Sequence, residues 1–155
     1  MSWKAKTLSV QGIIDNIEFF KEGWTMITRP ECARDVFSWD GFLKTLLHVA
    51  SLDECNGAVI LFTSCNDKPL GFYVLCDNTE IFSDHRTVLI FAGYSNGKYE
   101  QAPLASIDFV EKWARDRGFK EIHAHTRRMT GAAARLYERK LGFTRLSWAF
   151  KKELQ

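Results

Sequence analysis

Histidines, cysteines and a run of arginines are the residues of this 155-residue chain whose types could do chemistry. His123 and His125 alternate along one expected strand, so their side chains share a face. Two ligands are too few for a metal centre, which leaves substrate contact or an ordinary surface position. Cys32, Cys55, Cys65 and Cys76 have no C-x-x-C spacing and no histidine nearby to complete a zinc set. Reduced thiols partly packed into strands are expected, with no metal site. Arg127, Arg128, Arg135 and Arg139 belong to a basic C-terminal third. Residues 112–155 hold 12 Lys and Arg against 4 Asp and Glu, net +8, whereas residues 1–111 hold 9 against 15, net −6. A surface of that sign suits cofactor phosphates, an acidic substrate or a nucleic acid, and equally a solvated helix face. No nucleic-acid motif accompanies it, so nucleic acid ranks last among these partners.

The elements that must position these residues form one domain over 1–155, with a helical part over 1–56 and a core over 57–155. Hydrophobic residues make up 46% and charged residues 26%, which excludes wholesale disorder. The longest apolar runs, such as Val88-Leu89-Ile90-Phe91-Ala92, are too short to span a membrane. No signal-like apolar block follows Met1 to Lys6, and a cytoplasmic location is expected.

Ile13, Ile14, Ile17 and Phe20 recur at helical spacing, predicting a helix over 11–22 that stops at Gly23. Ser38 is placed to cap a second helix whose stripe is Phe42, Leu43, Leu46, Leu47 and Ala50. Ala58 to Thr63 and Leu70 to Cys76 flank Asn66-Asp67-Lys68-Pro69 and read as an antiparallel hairpin. Thr87 to Ala92 is apolar enough to be a central strand covered on both faces, ending at Gly93 to Gly97. Pro103 to Arg117 is a helix closed by Gly118, and Lys120 to Thr126 a strand. Thr130 would cap a helix over 131–140, and a last strand would run from Phe143 to Lys152. Strand–helix–strand units imply parallel neighbours and the hairpin antiparallel ones, so the fold class is α/β with a mixed sheet.

Two segments go further. Phe109 to Ile122 contains Glu111-Lys112-Trp113-Ala114-Arg115-Asp116-Arg117-Gly118, a helix running into a strand. The second is Ala132-Ala133-Ala134-Arg135-Leu136-Tyr137-Glu138-Arg139-Lys140-Leu141-Gly142-Phe143. Together they resemble the GNAT superfamily of acyl-CoA N-acyltransferases, in which "EWARERG" often precedes the fifth strand and "A..LYE..GF" follows it. The resemblance covers the last hundred or so residues, and the first 55 by helix count alone.

The resemblance implies a mixed, mostly antiparallel sheet flanked by helices, and acetyl transfer from acetyl-CoA to an amine. The sheet would splay beside the fourth strand, where backbone near Phe91, Ala92 and Gly93 would hold pantetheine. The pyrophosphate would lie over Lys98, Tyr99, Gln101, Ala102 and Leu104, at the start of the next helix. The loop departs from the family's R/Q-x-x-G-x-G/A pattern. Gln101 and Pro103 stand at the small-residue positions, Pro103 removes an N–H donor, and Glu100 adds a negative charge. Tyr137 matches the tyrosine that protonates the departing thiolate, but stands one residue further from Gly142-Phe143 than is usual. His123, His125 and Glu80 are candidates for the base. The acceptor, a small molecule or a protein amine, would be chosen by Gly23 to Trp39, with Trp24, Arg29, Arg34 and Trp39. A homodimer or larger assembly is compatible with the fold. The altered loop keeps a second function open, a GNAT-fold binding or structural subunit without chemistry.

Overall fold

A computed structural model describes residues 3–28, 38–96, 102–124, 138–139 and 141–144. Five strands, β1 (Trp3–Thr7), β2 (Gly57–Ser64), β3 (Pro69–Asp77), β4 (Arg86–Ser95) and β5 (Phe119–Ala124), form one sheet in the order β1-β2-β3-β4-β5. The first four are mutually antiparallel, and β5 lies parallel to β4. Helices α1 (Val10–Asp15), α2 (Ile17–Ile27) and α3 (Trp39–Ser51) cover one face, and α4 (Ala102–Asp116) the other. The mixed, mostly antiparallel sheet flanked by helices is the architecture the sequence implied. No helix among the described residues is long and apolar enough to cross a membrane.

The expected helix over 11–22 is two helices. Asn16 donates its side-chain amide to the Gly12 carbonyl at 2.8 Å and adopts φ −115°, ψ 20°, which breaks the run between α1 and α2. Gly23 does not end the second helix, which continues to Ile27. It serves as a point of close approach: a Cβ there would fall 2.4 Å from the Phe72 ring. Part of the expected substrate loop is therefore helical. Trp24 and Trp39 bracket the rest, their rings 6.3 Å apart and edge to face. Ser38 caps α3 as its spacing predicted, accepting from the Gly41 N–H at 3.0 Å.

Strand β1 lies in the segment read as helical. Lys4 and Lys6 face water along an edge while Trp3 and Ala5 pack inward, an alternation too short to stand out. The centre of the sheet is the hairpin, because Gly57 to Thr63 is buried throughout. In β4 only Thr87, Val88 and Ile90 are buried, and Phe91 is 48% exposed. The expectation that this strand is covered on both faces is thus corrected for its second half, and Gly93 lies within the strand rather than in a break. Cys32 lies outside the described residues; Cys55 and Cys65 are exposed in turns, not packed in strands, and Cys76 is half-buried in β3, its thiol pushed up by burial.

Arg86 ties the start of β4 to its surroundings. It donates to the Arg117 carbonyl and to Asp77, both at 2.8 Å, and to the Cys55 carbonyl, and lies 4.1 Å over the Phe119 ring. Gly118, at φ +81°, supplies the left-handed residue that turns α4 into β5. The expected helix over 131–140 lies almost wholly outside the described residues. Phe143 and Thr144 are irregular, and the rest of the expected last strand lies outside the described residues too.

Candidate active site

The second half of β4 carries an irregularity. Its parallel pairing with β5 is described up to Ile90 opposite Ala124, the last described residue of β5, and Ala92 to Ser95 pair with β3. Val74 faces Ala92 and Leu75 faces Ile90, which leaves Phe91 as an extra residue in a β-bulge. A bulge bends its strand and leaves backbone groups out of the ladder. Phe91, Gly93 and Ser95 are exposed there.

Tyr73 supplies the floor. It faces Gly93 across the β3–β4 ladder, and a Cβ on Gly93 would sit 2.8 Å from its ring. The Tyr73 ring also packs edge to face on Phe62, 5.6 Å between centroids, and its hydroxyl makes a long 3.5 Å contact with Ser106 of α4. Burial pushes this phenol up, against a smaller opposing effect of the Ser106 contact, so it stays protonated. Helix α4 begins at Ala102 and has no acidic residue in its first turn. A helix start of this kind presents N–H groups and a dipole suited to an anion, less the donor that Pro103 lacks.

Of the predicted cofactor residues, Phe91, Ala92 and Gly93 lie on the second half of β4, and Ala102 and Leu104 in the first turn of α4. Lys98, Tyr99 and Gln101 lie outside the described residues, as do Tyr137, His125, Arg127, Arg128 and Arg135. Arg139 is exposed. Glu80 is exposed in the β3–β4 loop. His123 lies on β5 opposite Leu89. Its Nε2 is 3.0 Å from Glu121, and His85 Nε2 reaches the same carboxylate oxygen at 3.3 Å. Those contacts, that with His123 first, hold the Glu121 carboxyl below its usual range. Among the described residues no group of three or more His, Cys, Asp or Glu is arranged to hold a metal ion. Tyr73 and Glu121 escaped sequence reasoning because both acquire their positions through strand register, which single-strand patterns do not encode.

On the opposite face of the same half-strand, Tyr94 donates its hydroxyl to Glu22 of α2 at 2.8 Å. Phe19, Phe72 and Tyr94 form a contiguous aromatic patch around it.

No family model and no curated protein matches the sequence. Solved structures do match across the whole chain. An aminoglycoside acetyltransferase from an uncultured soil metagenomic sample, in complex with sisomicin, superposes with a TM-score of 0.74 at 13% identity, over 99% of this chain and 97% of that one. A GNAT family acetyltransferase from Staphylococcus aureus gives 0.72 at 12% identity, over 99% and 100% of the two chains. AAC(6')-Iy, in complex with the bisubstrate analogue CoA-S-monomethyl-acetylneamine, gives 0.73 at 12% identity, over 100% and 99%. The chain has the fold of the GNAT acetyltransferases.

Proposed function

We propose that the chain is an acetyl-CoA-dependent N-acetyltransferase acting on a primary amine. The observation that carries the reading is the bulge at Phe91 in β4, with side-chain-free Gly93 over the Tyr73 ring, near the acid-free first turn of α4 in a chain with the acetyltransferase fold. Acetyl-CoA supplies an activated thioester. The backbone of Phe91, Ala92 and Gly93 binds its pantetheine amides, with Tyr73 as the floor. Lys98, Tyr99 and Gln101, with the N–H groups of Ala102 and Leu104, receive the pyrophosphate.

The acceptor nitrogen attacks the thioester carbonyl carbon, the C–N bond forms, and the C–S bond breaks. Tyr137 delivers its phenolic proton to the departing thiolate. His123 takes the proton that the amine loses, its ring oriented by Glu121 at 3.0 Å. Of the three base candidates, His123 is favoured by that carboxylate contact.

Calorimetric titration with acetyl-CoA tests the reading. Micromolar binding, weakened by Lys98→Ala, is expected, followed by thiol release with amine acceptors that falls in Tyr137→Phe. Absence of heat at millimolar cofactor overturns it. That result selects the second reading, a GNAT-fold binding subunit, which the Gln101 and Pro103 substitutions in the phosphate loop favour.

A further inference from the structure

Glu121 lies between two histidines that reach it from different parts of the chain. Glu121 and His123 are two residues apart on β5, so their side chains share a face, and the His123 Nε2 is 3.0 Å from the Glu121 Oε2. His85 ends the β3–β4 loop. It meets Glu121 because the β4–β5 register gains a residue there: Arg86 faces Phe119, but Thr87 faces Glu121. Lys120 is the extra residue, and the shift brings Glu121 beside the start of β4. The His85 Nε2 then reaches the same Oε2 at 3.3 Å. The loop holds His85 in place. Its N–H donates to the Ser83 hydroxyl oxygen at 3.3 Å and its carbonyl accepts from that hydroxyl at 2.8 Å. Arg86 follows it directly, anchored by its own three hydrogen bonds.

The chemistry of the three groups fixes their protons. The contact with His123, and then that with His85, hold the Glu121 carboxyl below its usual range, so at neutral pH it is an ionised carboxylate that only accepts. A ring nitrogen bearing a lone pair would be repelled at 3.0 or 3.3 Å from it, so both Nε2 atoms carry hydrogen. In each neutral ring the acceptor is therefore Nδ1. The Glu121 side chain is 49% exposed, and on a single contact it would be free to turn to water. A second donor from a separate element pins the oxygen that orients His123.

We infer that His85 is a positioning residue for the transfer: with His123 it clasps one oxygen of Glu121, and the clasp makes Nδ1 of His123 the atom that takes the amine's proton. The part played by His123 as base rests on the proposed acetyl transfer; the clasp itself does not. As the acceptor nitrogen bonds to the thioester carbon, its proton passes to Nδ1. The imidazolium that forms keeps its Nε2–H on the carboxylate, whose charge balances it, and Glu121 stays ionised throughout. His85 acts through Glu121, by holding the carboxylate and with it the ring plane of His123.

A spectroscopic and a kinetic measurement test it together. In protein labelled with nitrogen-15 at histidine and free of cofactor, two-bond proton–nitrogen correlations read the tautomer of each neutral ring. Nε2–H is expected at both His85 and His123. His85→Ala should shift the His123 ring nitrogens, and His85→Gln, which retains a side-chain N–H donor, should shift them less. An Nδ1–H tautomer at His123, or His123 signals unmoved by His85→Ala, overturns the clasp. In the thiol-release assay His85→Ala should lower kcat about fivefold, the size of one side chain set free, with the KM for acetyl-CoA unchanged. His85→Gln should recover most of that loss. Equal kcat in wild type and His85→Ala overturns the positioning role, as does an unchanged kcat in His123→Gln. Nε2–H tautomers that respond to His85→Ala, with no thiol release from any amine, would keep the clasp and reject the transferase, and the positioning role with it.

Discussion

Gly23→Ala decides between two opposed effects. In a helix interior alanine is ordinarily more stable than glycine by about 1 kcal/mol. Here the added Cβ would lie 2.4 Å and 2.8 Å from two Phe72 ring carbons and 3.0 Å from Tyr94, where ordinary contact begins at 3.4 Å. Phe72 is 1% exposed and ringed by Phe20, Tyr94, Phe19 and Phe42 at centroid distances of 4.8, 5.8, 6.2 and 6.4 Å. The ring has nowhere to turn, so α2 must lift from the sheet. Overpacking of this kind costs about 1–3 kcal/mol, and lifting α2 also loosens aromatic contacts, so the clash outweighs the helix gain. The expected net loss is about 1–2 kcal/mol, a fall in Tm of roughly 3–6 °C for a chain of this size. Thermal unfolding followed by circular dichroism and tryptophan fluorescence measures it. A raised Tm would show that α2 does not sit tightly on Phe72.

Other outcomes follow from the same geometry. Gly93→Val should weaken acetyl-CoA binding at least tenfold, because its side chain collides with the Tyr73 ring beside the backbone proposed to hold pantetheine; unchanged calorimetric affinity would place the cofactor elsewhere. Arg86→Met should lower stability by about 2 kcal/mol in urea unfolding, since three hydrogen bonds are lost and the wild-type side chain is only 34% exposed. Burial of Asp77 opposes ionisation, but hydrogen bonds from Thr79 and Arg86 win and hold its carboxyl below the usual value. Its contribution is therefore complete above the ordinary unfolded carboxylate value and lost as pH falls through the lower folded one, so Asp77→Asn should flatten the acid limb of stability against pH. Glu121→Gln should reduce kcat more than the KM for acetyl-CoA if it orients His123, with a pH–rate profile distinct from wild type; an unchanged profile would exclude His123 as the base.

Much of the scaffold was legible along the chain because it is set by local physics. Ser38 announces α3 by its capping hydroxyl, Gly118 ends α4 through its left-handed backbone, and the apolar runs around Asn66 to Pro69 declare the hairpin. Helix α4 and the parallel β4–β5 pair follow from an amphipathic stripe between two strands. The errors came where the deciding force lies far away in sequence. Gly23 reads as a helix terminator, yet it is a contact point with Phe72. β1 is too short to show its alternation until β2 pairs with it.

The site divides in the same way. The sequence by itself determined an α/β chain with a helix N-terminus after β4, because strand and helix periodicities are properties of neighbouring residues; Phe91, Ala92 and Gly93 came forward only through the resemblance to the GNAT superfamily. Only the tertiary structure decided that Phe91 is bulged, that Tyr73 lies under Gly93, that Glu121 meets two histidines and that Glu22 meets Tyr94. Those contacts are fixed by register and by the approach of α2 to the sheet, and both depend on packing between segments that local sequence patterns do not connect.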